Sequence, residues 1–330
     1  MPAPHDSIIT RANSLLAGGR VHDAIALATR AAQAGDPDAL MQVAIWRLSG
    51  HPLPRDLPEA RRLLRRAAEA GHADAALTEV ALVGNGSGGA PDWPGALALL
   101  RSAARRDATA AAHLALVEAM ALRPDGAPST LLSGDRLSTS PDVTRFRQFC
   151  TPAECAHVAS AAQHLLAPSA VVDPRTGRLT EHPVRTSDGG VFPPTREDLV
   201  LQAINRRIAL ATNTAVAQGE GLVVLRYRPG QQFRLHHDCL PGVRNQRIRT
   251  VLIYLTDEFT GGETQFPAAS LTVRPQVGDA VLFTNTLSDG RPDPSATHAG
   301  LPVSTGTKWL ATRWIRANPV DPWNAAQTAS

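Results

Sequence analysis

The chain has 330 residues, 43% of them hydrophobic, and a formal net charge of +3 at pH 7. This length exceeds what one core usually fills, and this composition excludes a wholly disordered chain, so we expect at least two folded domains. The small, dispersed charge excess argues against a nucleic-acid-binding protein. The sequence shows neither a signal-peptide core at its start nor an apolar run of roughly 20 residues, which favours a cytoplasmic protein without membrane contact.

The N-terminal third repeats itself with a period of 36 residues, since residues 30–39 recur as 66–75 with seven of ten residues identical. Alanines recur at the same offset in three copies, as at Ala24, Ala60 and Ala96 and at Ala39, Ala75 and Ala111. Small residues in such columns let helices pack closely, which predicts an α-solenoid of helix–turn–helix units over residues 1–122. These repeats resemble tetratricopeptide-like repeats of the Sel type.

The composition changes after the repeats. Residues 123–144 are rich in Pro, Gly and Ser and are predicted to be a linker. A second domain is expected at 145–318, followed by a tail at 319–330. Two helical stretches, near 152–166 and 196–216, are predicted in its first part.

From residue 221 onward the sequence has the pattern of short strands separated by turns. The predicted strands are Leu222–Tyr227, Arg249–Leu255, Leu271–Arg274, Ala280–Thr284, Leu301–Val303 and Lys308–Arg316. Many short strands at this spacing favour a sandwich or jelly roll, so the whole chain is predicted to be a multidomain α plus β protein.

A His-x-Asp motif lies among these strands. On a strand, residues i and i+2 share a face, so His236 and Asp238 are expected to converge while His237 points away. His298 is the only histidine further along the chain. Two imidazoles and one carboxylate on one side of a metal form the facial triad of non-haem iron oxygenases. The motif alone is a weak signal, because most such pairs are ordinary polar strand ends.

The chain contains a single lysine among its 33 basic residues, Lys308. This bias towards arginine indicates a position that requires a compact ammonium; the alternative, a surface lysine, would make its uniqueness accidental. On the predicted strand Lys308 shares a face with Leu310, Thr312 and Trp314. A buried ammonium is costly unless paired, and a dicarboxylate such as 2-oxoglutarate would pair it while its keto-acid end binds iron.

The three cysteines are sparse, and neither a disulfide framework nor the paired spacing of a zinc site is present. Cys150, Cys155 and Cys239 are therefore interpreted as packed thiols. The role of Cys239, directly after the His-x-Asp motif, stays open.

Five motifs surround these residues between 145 and 316. They are Tyr227-x-x-Gly-Gln-x-Phe-x-x-His236-x-Asp238, Arg249-Thr-x-x-x-Tyr-Leu, Gly261-Gly-Glu-Thr-x-Phe-Pro, Pro275-x-x-Gly-Asp-Ala and His298-Ala-Gly-x-Pro-Val-x-x-Gly-x-Lys308-Trp. Together they resemble the prolyl 4-hydroxylase branch of the 2-oxoglutarate oxygenases. The resemblance implies a double-stranded β-helix (jelly roll) with supporting helices. It also implies iron(II), 2-oxoglutarate and dioxygen, with L-ascorbate as an optional reductant.

The resemblance also implies roles for individual residues. The catalytic iron ligands would be His236, Asp238 and His298. Lys308 would bind the far carboxylate of 2-oxoglutarate. Tyr227, Tyr254 and Thr264 match positions that line the co-substrate pocket. Segment 173–195 and loop 288–297 are predicted to flank its mouth and to act as lids.

The favoured hypothesis is a dioxygenase that hydroxylates an unactivated C–H bond in a peptide or protein, with prolyl residues as candidate targets. The repeats would recruit that polypeptide, since such repeats usually bind partners on a concave surface. Two alternatives stay open. One is a hydroxylase of a free amino acid or small metabolite, and the other is a non-catalytic repeat scaffold with a vestigial oxygenase domain.

Overall fold

The chain divides into two compact units in a computed structural model. The structure describes residues 7–130, 133–172, 179–181, 184–274 and 276–324. The first unit comprises 1–126 with 194–202, and the second comprises 127–193 with 203–330. The first unit thus takes in a segment that was predicted to belong to the oxygenase domain. In the described part of the chain, no helix combines the length and apolar character that crossing a bilayer requires.

The first unit is helical before residue 120. Its described helices are α1 (Ile8–Ala17), α2 (Val21–Gln33), α3 (Pro37–Ser49), α4 (Leu57–Glu69), α5 (Ala73–Asn85), α6 (Trp93–Ala103) and α7 (Ala108–Ala119). Each is in contact with the next along the chain. The predicted helix–turn–helix repeats are therefore confirmed.

Capping residues set where these helices begin and end. Asp36, His72 and Asp107 precede α3, α5 and α7, and each side chain accepts a hydrogen bond from the backbone N–H three residues on. Gly35 and Gly71 follow α2 and α4 with φ of 89° and 97°, a conformation that side chains other than glycine rarely adopt.

One alanine column is fully buried in the helical core: Ala24, Ala60 and Ala96. The second column was predicted one residue out of place in its last copy. Ala39 and Ala75 are buried, but the buried residue of the third copy is Ala110, whereas Ala111 is exposed. The capping residue of the third copy, Asp107, comes one residue earlier in the 36-residue period than Asp36 and His72 do. The buried alanine that follows it is therefore also one residue earlier.

The second unit carries the strands and two further helices. The helices are α8 (Pro152–Ala162) and α9 (Leu199–Thr212), the first turn of which belongs to the first unit. The described strands are β1 (Asp135–Thr139), β2 (Asp142–Phe146), β3 (Ala167–Pro168), β4 (Ala170–Val172), β5 (Leu179–Glu181), β6 (Asp188–Val191), β7 (Val223–Tyr227), β8 (Phe233–His236), β9 (Arg247–Tyr254), β10 (Phe259–Gly261), β11 (Thr264–Phe266), β12 (Leu271–Val273), β13 (Ala280–Thr284), β14 (His298–Gly300), β15 (Val303–Gly306) and β16 (Lys308–Arg316).

Two antiparallel sheets form the body of this unit. The major sheet has eight strands in the order β1-β2-β13-β9-β16-β7-β6-β3, and the minor sheet has four in the order β12-β11-β14-β8. Buried side chains of both sheets form one core, to which Phe266 of the minor sheet and Leu252, Phe283 and Leu310 of the major sheet belong. The predicted double-stranded β-helix is confirmed.

Part of the predicted linker is sheet. Within 123–144, β1 and most of β2 form an antiparallel pair, and β2 pairs with β13. The side chains of β1 are mostly exposed because it is an edge strand, so its composition is that of a loop. β2 is anchored by Val143 and Phe146, which are buried. The predicted tail is described only as far as residue 324.

Apart from 301–303, the predicted strands lie within two residues of observed ones at each end. Ala280–Thr284 and Lys308–Arg316 coincide with β13 and β16. Leu301–Val303 is wrong as a single strand, since β14 ends at Gly300 and β15 begins at Val303. Pro302 lies between them and has no N–H to donate to a ladder.

Candidate metal centre

Three predicted ligands meet between the ends of two paired strands. His298 opens β14 and lies opposite His236, the last residue of β8. Asp238 follows two residues later. One donor atom from each residue lies within 4.8 Å of the others. Asp238 Oδ1 is 3.7 Å from His236 Nε2, and Asp238 Oδ2 is 3.8 Å from His298 Nε2.

A turn brings Asp238 to this point, and not the pleat of a strand. β8 ends at His236, so the prediction that both ligands share a strand face is wrong. The turn is closed by His237, whose Nδ1 accepts a hydrogen bond from the backbone N–H of Cys239. His237 points away from the site, as predicted, and its Nε2 donates to the carbonyl of Asp293 at 2.8 Å.

Backbone carbonyls orient both imidazoles. His236 Nδ1 is 2.8 Å from the carbonyl oxygen of Arg234, and His298 Nδ1 is 3.0 Å from that of Ala296. A carbonyl can only accept, so each Nδ1 carries the proton and each Nε2 presents a lone pair. Phe233 stacks on His236 with ring centroids 3.4 Å apart.

The surroundings hold all three groups in the protonation states that bind metal. Burial, assisted by the nearby His298, lowers the pKa of His236 to about 4, and burial lowers the pKa of His298. Burial would raise the pKa of Asp238, but the two imidazoles and the Thr250 hydroxyl lower it overall. Two neutral imidazoles and a carboxylate therefore face one another at neutral pH, a donor set that suits iron(II).

Lys308 lies deep in the same unit, at the start of β16 and opposite Tyr227. Its side chain is 2% exposed, and its ammonium donates to the carbonyl of Gly262 at 2.6 Å. The ammonium is 5.4 and 5.6 Å from the ring centroids of Tyr227 and Tyr254. Burial lowers its pKa to about 8, against the opposing field of Glu263. Among the described residues, no carboxylate forms an ion pair with it.

One cavity joins the three ligands to the lysine. Its wall contains Tyr227, Phe233, His236, Asp238, Thr264, His298 and Lys308 together with the inner face of β16, and the apolar remainder includes Leu225 and Leu252. Tyr254 does not line it; its hydroxyl donates to Thr264 Oγ1 at 2.8 Å and so fixes a residue that does. Thr312 and Trp314 share the inner face of β16 as predicted, and Thr312 Oγ1 and Trp314 Nε1 have no hydrogen-bond partner among the described residues.

The two segments predicted as lids are partly held in place. Of 173–195, residues 173–178 and 182–183 lie outside the described residues, while β6 belongs to the major sheet. Loop 288–297 contains a one-turn 3-10 helix, Pro294–Ala296, and is fastened by the bond from His237 to Asp293. Closure of either segment stays a prediction.

Two residues that sequence reasoning missed lie behind the carboxylate ligand, one in contact with it and the other one step further away. Thr250 donates from its hydroxyl to Asp238, and Asn285 donates to Thr250. Thr250 stands in the motif that begins at Arg249, but no role was assigned to it. The sequence contains no local signal that links Asn285 to a ligand 47 positions away.

Comparison with known proteins identifies the family. The model of the 2OG-Fe(II) oxygenase superfamily matches residues 222–316. Prolyl 4-hydroxylase 1 of Arabidopsis thaliana is 38% identical over 199 residues, which cover 54% of this chain and 70% of that protein. The chain belongs to the prolyl 4-hydroxylase family of 2-oxoglutarate- and iron(II)-dependent oxygenases. It is accordingly a 2-oxoglutarate-dependent dioxygenase that uses iron(II) and dioxygen.

Two solved structures are similar to parts of this prolyl 4-hydroxylase-like enzyme. The viral collagen prolyl hydroxylase of Paramecium Bursaria Chlorella virus-1, in its 2-oxoglutarate complex, is 27% identical, with a TM-score of 0.44, covering 53% of this chain and 96% of that one. A Sel1 repeat protein from Oxalobacter formigenes is 23% identical, with a TM-score of 0.30, covering 33% of this chain and 85% of that one.

Proposed function

We propose that this dioxygenase hydroxylates a prolyl residue in a peptide or protein, with iron(II) held by His236, Asp238 and His298. The proposal is carried by one observation: three metal-binding atoms within 4.8 Å and a buried lysine line the same cavity. A keto acid with a second carboxylate suits both ends of such a cavity, because one end chelates a metal and the other meets the ammonium of Lys308.

The residues of the chain bind and orient, and the bound iron supplies the activation of dioxygen that is coupled to decarboxylation of 2-oxoglutarate. Lys308 fixes one end of the co-substrate, and the Tyr254–Thr264 hydrogen bond fixes the wall beside it. The leucines of the major sheet exclude water around the reacting groups. Tyr227 lies opposite the lysine and completes the co-substrate end of the proposed site.

Support for a prolyl substrate comes from the relatives, which are named prolyl 4-hydroxylases and are 34% to 38% identical to this chain. Thr312 and Trp314 extend the cavity wall along β16, beyond the lysine. The helical repeats add a surface of the kind that binds polypeptides. The proposed partner is therefore a protein substrate.

The activity test supplies the full chain with iron(II), 2-oxoglutarate, L-ascorbate and a pool of proline-containing peptides. We expect succinate to form in proportion to peptides that gain one oxygen atom, followed by mass spectrometry. His298→Ala should abolish both signals because a ligand is lost. His164→Ala, which alters an exposed histidine after α8, should leave both unchanged.

Other outcomes distinguish the competing functions. Succinate formed with free amino acids or metabolites, and not with peptides, would favour a small-molecule hydroxylase. Absence of succinate with every substrate pool would favour a non-catalytic scaffold. Omission of ascorbate should reduce the number of turnovers if it serves as the reductant that we propose.

We also propose that the enzyme works in the cytoplasm. Cys150, Cys155 and Cys239 are free thiols, and such residues persist in a reducing compartment. Fractionation of cells that express the chain would test this, and its recovery from an oxidising compartment would contradict it.

A further inference from the structure

A chain of two uncharged side chains ends on the carboxylate of Asp238. Thr250, in β9, donates from Oγ1 to Asp238 Oδ2 at 2.6 Å. Asn285, directly after β13, donates from Nδ2 to Thr250 Oγ1 at 2.9 Å. Thr250 and Asn285 are fully buried and Asp238 is 4% exposed, so water does not compete for these bonds.

The direction of both bonds follows from chemistry. An ionised carboxylate can only accept, so the single proton of the Thr250 hydroxyl must point at Asp238. The oxygen of that hydroxyl is then left to accept, and Asn285 must offer its NH₂ group and not its carbonyl. Both hydrogen bonds therefore have a fixed direction: Asn285 donates to Thr250, and Thr250 donates to Asp238.

We propose that Thr250 and Asn285 are positioning residues, which fix the Asp238 carboxylate for the metal. The inference rests on the proposed iron site. Thr250 engages Oδ2 and so prevents rotation of the carboxylate, which keeps Oδ1 3.7 Å from His236 Nε2 and Oδ2 3.8 Å from His298 Nε2. Partners behind the ligands commonly orient them in this way.

The backbone of Asn285 is itself held on both sides. Its N–H donates to the carbonyl of Ile248 at 2.8 Å, and its carbonyl accepts from the N–H of Asp293 at 2.9 Å. The thiol of Cys239, next to Asp238, also points at this carbonyl, at 3.5 Å. Asn285 thus connects β9, the turn that carries Asp238 and the segment that leads to His298. The thiol of Cys239 therefore helps to hold the carbonyl of Asn285 in place.

The test measures the affinity of the full chain for Mn(II), which accepts the same nitrogen and oxygen donors, by calorimetric titration without co-substrate. Thr250→Val keeps the shape of the side chain but removes the hydroxyl, and we expect affinity to fall about 10- to 100-fold. Thr250→Ser keeps the hydroxyl and should restore most of the affinity. Asn285→Leu should weaken binding less than Thr250→Val, because the hydroxyl still reaches Asp238.

Thr212→Val is the matched control. Thr212 is also a buried threonine, and its hydroxyl donates to the carbonyl of Ile208 at 2.8 Å, on α9. This variant should lose stability without losing metal affinity. The double variant of Thr250 and Asn285 should bind Mn(II) no more weakly than Thr250→Val, since the amide acts only through the hydroxyl.

The possible outcomes separate this inference from the proposed function. If the unaltered chain binds Mn(II) and both Thr250→Val and Asn285→Leu bind it equally well, the positioning role is wrong and the iron site stands. If the unaltered chain binds no metal, the proposed function fails. If Thr250→Val fails to fold, Asn285→Leu and Thr250→Ser decide the question. A loss of Mn(II) affinity in Asn285→Leu but not in Thr250→Ser supports the positioning role. Equal affinities in both variants and the unaltered chain overturn it.

Discussion

At the scale of single residues, Lys308 shows how a binding site can oppose stability. Its pKa, lowered from 10.5 to about 8, means that the fold disfavours the charged ammonium by roughly 3 kcal/mol at neutral pH. The carbonyl of Gly262 and the faces of two tyrosines offset only part of the lost hydration. A residue kept at this cost is expected to serve a ligand and not the fold.

Lys308→Met should separate these two effects. Methionine fills a similar volume without a charge, so the free energy of unfolding should rise by up to about 3 kcal/mol at pH 7. Affinity for 2-oxoglutarate should fall about 10- to 100-fold, because a hydrogen bond to a charged group is lost. Urea unfolding and titration of the Mn(II)-loaded chain measure the two quantities. A variant that is less stable and binds equally well would contradict the assigned role.

The pH dependence of co-substrate binding follows from the same residue. Below pH 8 the ammonium is charged, and above pH 8 it loses its proton. The affinity of the metal-loaded chain for 2-oxoglutarate should therefore be nearly constant from pH 6 to 7.5, and should fall towards tenfold per pH unit above about pH 8. Lys308→Met should remove this dependence. A flat profile for the unaltered chain would mean that the ammonium does not contact the co-substrate.

Residue types were sufficient to predict that the three candidate ligands and the lysine would lie together, because few side chains have their chemistry. His298 is the only histidine downstream of the His-x-Asp motif, and Lys308 is the only lysine of the chain. Thr250 and Asn285 could not be found in this way. Threonine and asparagine occur in many strands and turns, and only the folded sheet shows which of them reaches a ligand.

At the scale of elements, the turn that precedes β11 forms one wall of the lysine site. Gly262 has a φ of 69°, and a Cβ there would lie 3.2 Å from the Cδ of Lys308. The carbonyl of the same residue accepts the bond from the ammonium. The glycine therefore allows both the turn and the close approach of the lysine.

Gly262→Ala should disturb both features. We expect a loss of stability of about 1 to 3 kcal/mol from the positive φ and weaker 2-oxoglutarate binding from the displaced lysine. Gly290→Ala is the control, since Gly290 has a φ of 82° and an added Cβ would meet nothing within 4 Å. It should lose stability and keep its affinity. Equal affinities in both variants would show that the turn does not position Lys308.

Element type was predictable from alternation and turn residues, but the details were set by tertiary pairing. The strands β13 and β16 have strong apolar patterns and were predicted with their exact bounds. β1 was missed, because an exposed edge strand carries a polar sequence. The turn after His236 was missed, because the bond from Cys239 to the ring of His237 depends on geometry that no spacing rule contains.

At the scale of the whole molecule, residues 194–202 join the helical unit although the chain places them among oxygenase residues. A contact between distant parts of the chain leaves no mark in composition or period, so the predicted boundary at 123–144 could not include it. Removal of the first 120 residues would expose this segment and would be a poor test of the repeats.

Substrates of increasing length offer a better test with the intact chain. If the repeats recruit the polypeptide, extending a peptide on either side of the same target proline should lower KM and leave kcat nearly unchanged, since the added contacts are equal in the ground and transition states. Peptides extended with scrambled sequences provide the control. An identical KM for all lengths would mean that the repeats take no part in recruitment.

The site is divided between the two sheets, and this division has a consequence for the local stability of the enzyme. His236 and His298 belong to the minor sheet, whereas Lys308 belongs to the major sheet. A co-substrate held at both ends would connect the two sheets and stabilise them against local unfolding. Hydrogen exchange should therefore slow in β14 and β16 together once it is bound. In a cell depleted of 2-oxoglutarate the enzyme would then be inactive and also less stable against local unfolding, and therefore more susceptible to proteolysis.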